Sequence, residues 1–272
     1  MTIQTNSALG ANGGAAARRH SIDAWPVPTR RGFLGAGLAA LAVPAQVSTA
    51  GPPPTAPDAE RVKALLAAQD PITWLFTGDS IAMGAFHTFG WRSYCEHFGE
   101  RIRFELLRRR DVVINTGISG DTTTDLLRDL DHRVLRFRPQ VVSIMLGMND
   151  CVAGVGGREE CTSRYDEILR RVRADTKAAL IVHTYNPITP SALENRDIPA
   201  YMDIIRTAAK KHQAILVDHD KVWRDRKSPL NYLLNDGALH PNQFGHILMA
   251  HATCQALGVH DSTSPLGRLF VP

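Results

Sequence analysis

Ser80 is a candidate nucleophile because of where it stands in the sequence. It follows an apolar run, Ile72–Phe76, and the turn-forming residues Gly78 and Asp79. A serine at the junction of a strand and a helix has two interpretations. It can cap the helix by accepting a backbone N–H bond. It can also attack a substrate, since the orphan N–H groups of a helix start can stabilise a developing negative charge.

Three further polar segments lie later in the chain. They are Asn115–Thr122, Gly147–Asp150 and Asp236–Asn242. Each alone has a structural explanation, since glycine forms turns, while asparagine and aspartate form Asx turns and helix caps. Together with Gly78-Asp79-Ser80, they make four such segments at strand or loop ends. Four are hard to explain as caps alone, and they indicate a catalytic site.

The elements that must position these segments alternate along the chain. Short β-branched runs, typical of buried parallel strands, are separated by helical patterns. The predicted strands are Ile72–Phe76, Val112–Asn115, Val141–Leu146, Leu180–Thr184 and Ile215–Asp218, and the predicted helices are Trp91–Leu107, Thr124–Phe137, Arg158–Thr176, Pro199–His212 and Gln243–Leu257. This alternation predicts a doubly wound α/β sandwich with a parallel sheet. Ligands of such folds bind outside the carboxyl ends of the strands, where several of the polar segments lie.

In this order the four segments resemble the SGNH, or GDSL, hydrolase family, and the resemblance covers about residues 73–257. It implies a three-layer α/β/α sandwich with a five-stranded, flavodoxin-like parallel sheet. It also implies that Ser80 is the nucleophile, that His240 is the base, and that Gly120 and Asn149 complete an oxyanion hole begun by Ser80. These roles suit the residue types, because imidazole can take the serine proton and N–H donors can stabilise a tetrahedral intermediate.

The acid of the site departs from the family pattern. The family spaces its acid and histidine as Asp-x-x-His, which would put Gly237 at the acid position, whereas the nearest carboxylate is Asp236. Either the loop bulges so that Asp236 reaches the His240 ring, or a backbone carbonyl orients the ring and the site works as a dyad. The sequence favours Asp236. We expect its loss to slow the reaction without abolishing it, because the acid fixes the tautomer and steadies the imidazolium.

Other polar residues near these segments are predicted to be structural. We expect Asp79 and Asp150 to brace loops as hydrogen-bond acceptors, and the histidines of the last predicted helix to be structural or solvated. His87 follows Ser80 closely enough to line the cleft, although a structural role is the simpler interpretation. No histidine has the ligand spacing of a zinc site and no dinucleotide fingerprint is present, so no metal or cofactor is expected.

The four cysteines divide into two pairs. Cys151 and Cys161 flank a glycine-rich turn, and we expect them to lie close enough for a disulfide beside the active site. Such oxidation would suit an exported protein. Cys95 and Cys254 fall on apolar helix faces and are predicted to be buried thiols.

The N-terminal part of the chain is predicted to be a targeting segment, residues 1–50, followed by a proline-rich linker, residues 51–57, and one hydrolase domain, residues 58–272. Arg30 and Arg31 precede a weakly apolar stretch that is too short to span a bilayer comfortably. This pattern resembles a twin-arginine export signal; the alternative is a disordered tail. We expect a periplasmic or extracellular protein with no stable membrane span after processing.

Composition and charge indicate a globular protein without a nucleic-acid partner. The chain has 272 residues, of which 44% are hydrophobic and 21% charged, and its formal net charge is +4. Part of that excess lies in the first 31 residues. The arginines at 108–110 adjoin a predicted amphipathic helix, where a solvated face is the better explanation than a basic binding stripe.

The predicted reaction is hydrolysis of a short-chain, acetyl ester on a small molecule or glycan. The loops that form the site carry glycine, threonine, asparagine and aspartate, which favours a shallow polar cleft. A long acyl chain would need a continuous apolar groove, since each buried methylene contributes only about 0.8 kcal/mol. The alternatives are a lysophospholipase or thioesterase of the same family, and a non-catalytic carbohydrate-binding module. The presence of both Ser80 and His240 disfavours the module.

Overall fold

The computed structural model describes residues 56–192, 197–235 and 238–272. The described residues contain a parallel sheet of five strands in the order β2-β1-β3-β4-β5. The strands are β1 (Thr73–Gly78), β2 (Val112–Asn115), β3 (Val141–Met145), β4 (Ala179–His183) and β5 (Ile215–Val217). The predicted five-stranded parallel sheet is therefore confirmed. The predicted targeting segment and residues 51–55 of the predicted linker lie outside the described residues.

Helices cover both faces of the sheet. They are α1 (Asp58–Ala67), α2 (Ser80–Met83), α3 (Tyr94–Glu100), α4 (Thr123–Arg128), α5 (Leu130–Arg133), α6 (Arg158–Thr176), α7 (Ile198–Lys211), α8 (His219–Arg226) and α9 (Gln243–Ala256). Helix α3 packs against α9, while α4, α6 and α7 pack side by side. The result is the predicted three-layer sandwich. Within the residues that the structure describes, no helix has the length and apolarity needed to cross a membrane.

The burial of the strands follows from this layering. All five residues of β3 and of β4 are buried, because helices lie on both sides of the inner strands. Strand β2 lies at the edge of the sheet and keeps its terminal residues exposed. The apolar runs that predicted the inner strands β3 and β4 are thus fully buried.

The sheet order creates a crevice at one edge. The chain passes from β1 to β2 on one side and then returns to place β3 on the other side of β1. Ligands of doubly wound folds bind at such a reversal, outside the carboxyl ends of the strands. Ser80 follows β1 and Asn149 follows β3, so both lie at this crevice.

Two predicted helices differ from the structure. The pattern over Trp91–Leu107 becomes helical only at Tyr94, because the side chains of Ser93 and Glu96 cap the start reciprocally, and it ends in a π-helical turn. The pattern over Thr124–Phe137 is broken into α4, α5 and a short 3₁₀ turn, since the backbone leaves helical geometry at Asp129 and again at Val134. Helix α6 has the predicted bounds, α7 is shifted by one residue at both ends, and α9 ends one residue earlier than predicted.

Candidate active site

Ser80 is the first residue of α2, directly after β1. The chain can turn there because Gly78 adopts φ +147°, and a Cβ at that position would lie 1.9 Å from the carbonyl oxygen of Met145. Asp79, not Ser80, caps the helix, since its carboxylate accepts the backbone N–H of Ile81 at 3.0 Å. The interpretation of Ser80 as a helix cap is therefore wrong, and its hydroxyl is left for another partner.

That partner is His240. The Nε2 atom of His240 lies 2.9 Å from the Oγ of Ser80, although the two residues are 160 positions apart. The Ser80 residue is only 5% exposed. An imidazole nitrogen at this distance can take the proton of the hydroxyl as its oxygen attacks a substrate.

Two short-range structures hold the segment that carries His240. Pro241 pairs with Leu234 in an antiparallel bridge. Asn242 then caps α9, its side-chain oxygen accepting the backbone N–H groups of Phe244 and Gly245 at 2.9 and 3.1 Å. The histidine thus lies between a closed turn and a capped helix. Asp236 and Gly237 lie outside the described residues, so the predicted acid stays a prediction.

The loop after β2 brings Gly120 to the same edge of the sheet. The backbone N–H of Ile118 donates to the carbonyl of Gly78 at 3.0 Å, which ties this loop to the end of β1. Gly120 has φ +83°, a conformation that favours glycine, and it is exposed to solvent. The loop therefore adjoins the turn that carries Ser80.

Asn149 joins the loop after β3 to the loop after β2. Its side-chain Nδ2 donates to the carbonyl of Asp121 at 2.8 Å, next to Gly120. An amide nitrogen carries two hydrogens, and this bond uses one of them. The structure thus brings the predicted residues of two loops together at one junction, and the amide of Asn149 keeps a second N–H for another acceptor.

Arg133 is a residue at the site that sequence reasoning missed. Its buried guanidinium forms an ion pair with Asp121 and donates to the carbonyls of Gly78 at 3.1 Å and Thr116 at 2.8 Å. One side chain therefore holds the loops after β1 and β2 together. The sequence contains one indication of this role. Arg133 lies between the apolar residues Leu130 and Val134 of a helical pattern, and a charge buried at such a position needs partners.

Asp79 and Asp150 are hydrogen-bond acceptors that brace loops, as predicted. Tyr185 donates its hydroxyl proton to Asp79 at 2.8 Å, and burial raises the pKa of the Asp79 carboxyl to about 7. Asp150 accepts both the backbone N–H of Thr123, at 3.1 Å, and its hydroxyl, at 2.5 Å. Burial also raises the pKa of Asp150. Both carboxyls thus fix the loops on either side of the crevice.

His87 lines the site, as one of its two sequence interpretations predicted. Its ring stacks on the ring of His240, with centroids 4.1 Å apart and planes inclined by 18°. Its Nε2 lies 2.9 Å from the Oγ of Ser119, the residue before Gly120. His246, on α9, is structural: it is buried, and its Nδ1 accepts the backbone N–H of Tyr94 at 3.2 Å.

All four cysteines are free and buried. This confirms the prediction for Cys95 and Cys254. The structure contains no disulfide between Cys151 and Cys161, and that the two lie close enough to form one stays a prediction. Burial raises the pKa of the Cys151 and Cys161 thiols, so both stay protonated near neutral pH. Among the residues described here, no group of three or more His, Cys, Asp and Glu side chains could hold a metal ion.

A buried serine within hydrogen-bond distance of a histidine, at the carboxyl edge of a doubly wound sheet, is typical of serine hydrolases. The model of the GDSL-like lipase/acylhydrolase family matches residues 76–248, which is more than half of the chain. The chain belongs to this family and is an ester-hydrolysing enzyme.

The chain is similar to three characterised or solved proteins. An acetylxylan esterase from Geobacillus stearothermophilus is 26% identical over 209 residues, which are 68% of this chain and 93% of that protein. Among solved structures, an α/β hydrolase from the metagenome of Lake Arreo, Spain, has a TM-score of 0.60 at 24% identity and covers 71% of this chain and 99% of its own. A variant of an acetyl xylan esterase from Geobacillus stearothermophilus has a TM-score of 0.59 at 23% identity, covering 72% and 100%. These structural matches share the fold.

Proposed function

We propose that this enzyme is a serine esterase that cleaves short-chain acyl esters, specifically acetyl esters on carbohydrate, with Ser80 as nucleophile and His240 as base. The observation that carries the proposal is the 2.9 Å contact between the Ser80 Oγ and the His240 Nε2. The hydroxyl oxygen attacks the ester carbonyl carbon while the imidazole takes its proton. The imidazolium then protonates the departing alcohol, and water releases the acyl group by the same steps in reverse order.

Three N–H donors are available for the oxyanion of the tetrahedral intermediate. Within the described residues, the backbone N–H groups of Ser80 and Gly120 donate to no protein acceptor. The side-chain amide of Asn149 supplies the third, through the hydrogen that Asp121 does not accept. Such donors act where charge develops, and the loss of one costs on the order of 3 kcal/mol in the transition state.

Asp236 is the proposed acid of the site. An acid beside the His240 ring would fix its tautomer and stabilise the imidazolium. The alternative is a Ser-His dyad in which a backbone carbonyl orients the ring. The two differ in what the loss of the Asp236 carboxylate does to the rate.

Acetylated carbohydrate is the proposed substrate class. The support is the acetylxylan esterase similarity together with the loops at the crevice, most of whose residues are small or polar, with Ile118 and Met148 among the exceptions. Export, the other part of this proposal, places the enzyme where polymeric glycans occur. It is supported by the sequence around Arg30 and Arg31, which lies outside the described residues.

An apolar groove favours a second candidate, an esterase for longer acyl chains such as a lysophospholipase or thioesterase. The groove has a volume of about 550 Å³, and its apolar lining is made by Trp91, Phe244, Ile247, Leu269 and Phe270. Phe244 follows His240 by four residues, so the groove begins close to the base along the chain.

A chain-length series of p-nitrophenyl esters distinguishes the two candidates. For an acetylesterase, kcat/KM falls from acetate to octanoate. A rise with chain length would refute the acetyl preference and leave the serine mechanism standing. Phe244→Ala is the matched variant, because it shortens one wall of the groove. It should leave acetate turnover unchanged, and a selective loss on octanoate would show that the groove holds the acyl chain.

A further inference from the structure

A second imidazole lies flat against the proposed base. The rings of His87 and His240 are 4.1 Å apart between centroids and nearly parallel, at 18°. Side-chain rotamers alone do not hold a histidine ring in one plane, because its χ2 torsion is broad and roughly two-fold. A flat partner at this distance restricts rotation of the His240 ring.

His87 is itself fixed from two directions. Its Nε2 lies 2.9 Å from the Oγ of Ser119. At its backbone, the side-chain amide of Asn235 donates to the His87 carbonyl, while the backbone N–H of Asn235 donates to the carbonyl of His240 at 2.8 Å. One asparagine therefore holds the backbones of both histidines, which keeps their rings side by side.

These contacts connect the proposed base to the loop of the proposed oxyanion hole. Ser119 directly precedes Gly120, whose N–H is a proposed oxyanion donor. The His87 ring thus contacts the base through its face and the oxyanion loop through its edge. The His87 side chain would oppose a displacement of the His240 ring or of the Gly120 loop, even by a fraction of an ångström.

We propose that His87 is a positioning residue that orients the His240 ring toward Ser80 and fixes the loop of Gly120 relative to that ring. The inference rests on the esterase function proposed above. His87 acts on the geometry of the reacting groups. Removing its side chain should therefore lower kcat and leave the KM for a small ester nearly unchanged. Misplacing a catalytic group by about 1 Å can cost about a hundredfold in rate.

Three single variants separate the two contacts. His87→Phe keeps a ring face against His240 and removes the bond to Ser119, whereas His87→Gln keeps a polar group for Ser119 and removes the ring. Ser119→Ala removes the same bond from the other side. With p-nitrophenyl acetate, we expect kcat to fall about tenfold to a hundredfold in His87→Gln. The fall should be only a few-fold in His87→Phe and in Ser119→Ala.

The result that overturns the proposal is an unchanged kcat in His87→Gln, or a His87→Phe enzyme no better than His87→Gln. A loss confined to KM would also overturn it, since that indicates contact with substrate. Thermal unfolding midpoints of all variants report any loss of folded protein.

A second measurement does not depend on activity. The NMR resonance of the His240 Hε1 proton should carry a ring-current shift that His87→Phe preserves and His87→Gln removes. If the wild-type protein hydrolyses no ester, the proposed function fails, and this shift still tests the placement of the ring. An identical Hε1 resonance in wild type and His87→Gln would contradict the stacked arrangement.

Discussion

Tyr185 donates its hydroxyl proton to the carboxyl of Asp79 across 2.8 Å, and both side chains are buried beneath the turn that carries Ser80. Burial raises the pKa of Asp79 from its ordinary 3.8 to about 7, and the bond from Tyr185 works against that rise. The contribution of Asp79 to stability is therefore complete below pH 3.8 and is lost as the pH rises through about 7.

Asp79→Asn should remove this pH dependence. The asparagine cannot ionise. As the pH rises from 3.8 to about 7, the free energy of unfolding of the variant should therefore increase relative to that of the wild type, by about 1.4 kcal/mol per pH unit. Urea denaturation of both proteins at pH 4, 6 and 8 measures the difference. A difference that stays constant with pH would show that Asp79 ionises in the folded protein as it does in the unfolded chain.

The buried histidines should lower the stability of the protein in acid, which is the opposite pH dependence to that of Asp79. Burial lowers the pKa of His219 and of His246 to about 3, and that of His183 well below its ordinary 6.5. The folded protein keeps these rings neutral while the unfolded chain protonates them. Their contribution to stability is thus complete above pH 6.5 and is lost progressively below it, by up to about 1.4 kcal/mol per pH unit for each ring.

His246→Asn tests this with little change of contacts, because the asparagine oxygen can replace Nδ1 as acceptor for the N–H of Tyr94. Its free energy of unfolding, measured by urea denaturation between pH 4 and 7, should depend less steeply on pH than that of the wild type. An equal slope in the two proteins would mean that His246 does not titrate in this range on unfolding.

The acid of the site is tested by comparing His240→Ala with Asp236→Ala, with Ser80→Ala as the reference. His240→Ala should lower kcat about as much as Ser80→Ala, because nucleophile and base act as a unit. Asp236→Ala should lower kcat less, since an acid supports the base without touching the substrate. Steady-state kinetics with p-nitrophenyl acetate give both values. An Asp236→Ala enzyme with the wild-type rate would replace the triad by the dyad.

Export is tested at the paired arginines. Replacing Arg30 and Arg31 together by lysine should leave the protein in the cytoplasm, because the proposed signal depends on both arginines. The measurement is cell fractionation with immunodetection of the wild type and of the double variant. Normal export of the double variant would show that another route handles the chain.

The fold was predictable where apolar residues form clear runs or recur at helical spacing. The strands are short β-branched runs, and their predicted bounds differ from the structure by at most two residues at an end. The start of the helix at Tyr94 is set by the reciprocal cap of Ser93 and Glu96, which the apolar pattern over Trp91–Leu107 does not report. Helix α8, which is strongly polar along most of its length, gives no apolar period to detect.

The candidate site was predictable as a set of segments but not as a set of contacts. Ser80 and His240 could be paired because each residue type has a known part in one reaction. The stacking of His87 on His240 depends on how two distant loops meet, and no local pattern reports that. The role of Arg133 likewise depends on carbonyl groups of the backbone, which every residue possesses.

The kcat/KM of purified Ser80→Ala for p-nitrophenyl acetate shows whether Ser80 is the nucleophile of an esterase. The wild-type enzyme should turn over this ester, and the variant should lose at least about 10⁴-fold in kcat/KM while keeping its thermal unfolding midpoint. A folded Ser80→Ala protein that keeps about a tenth or more of the wild-type value would contradict the account.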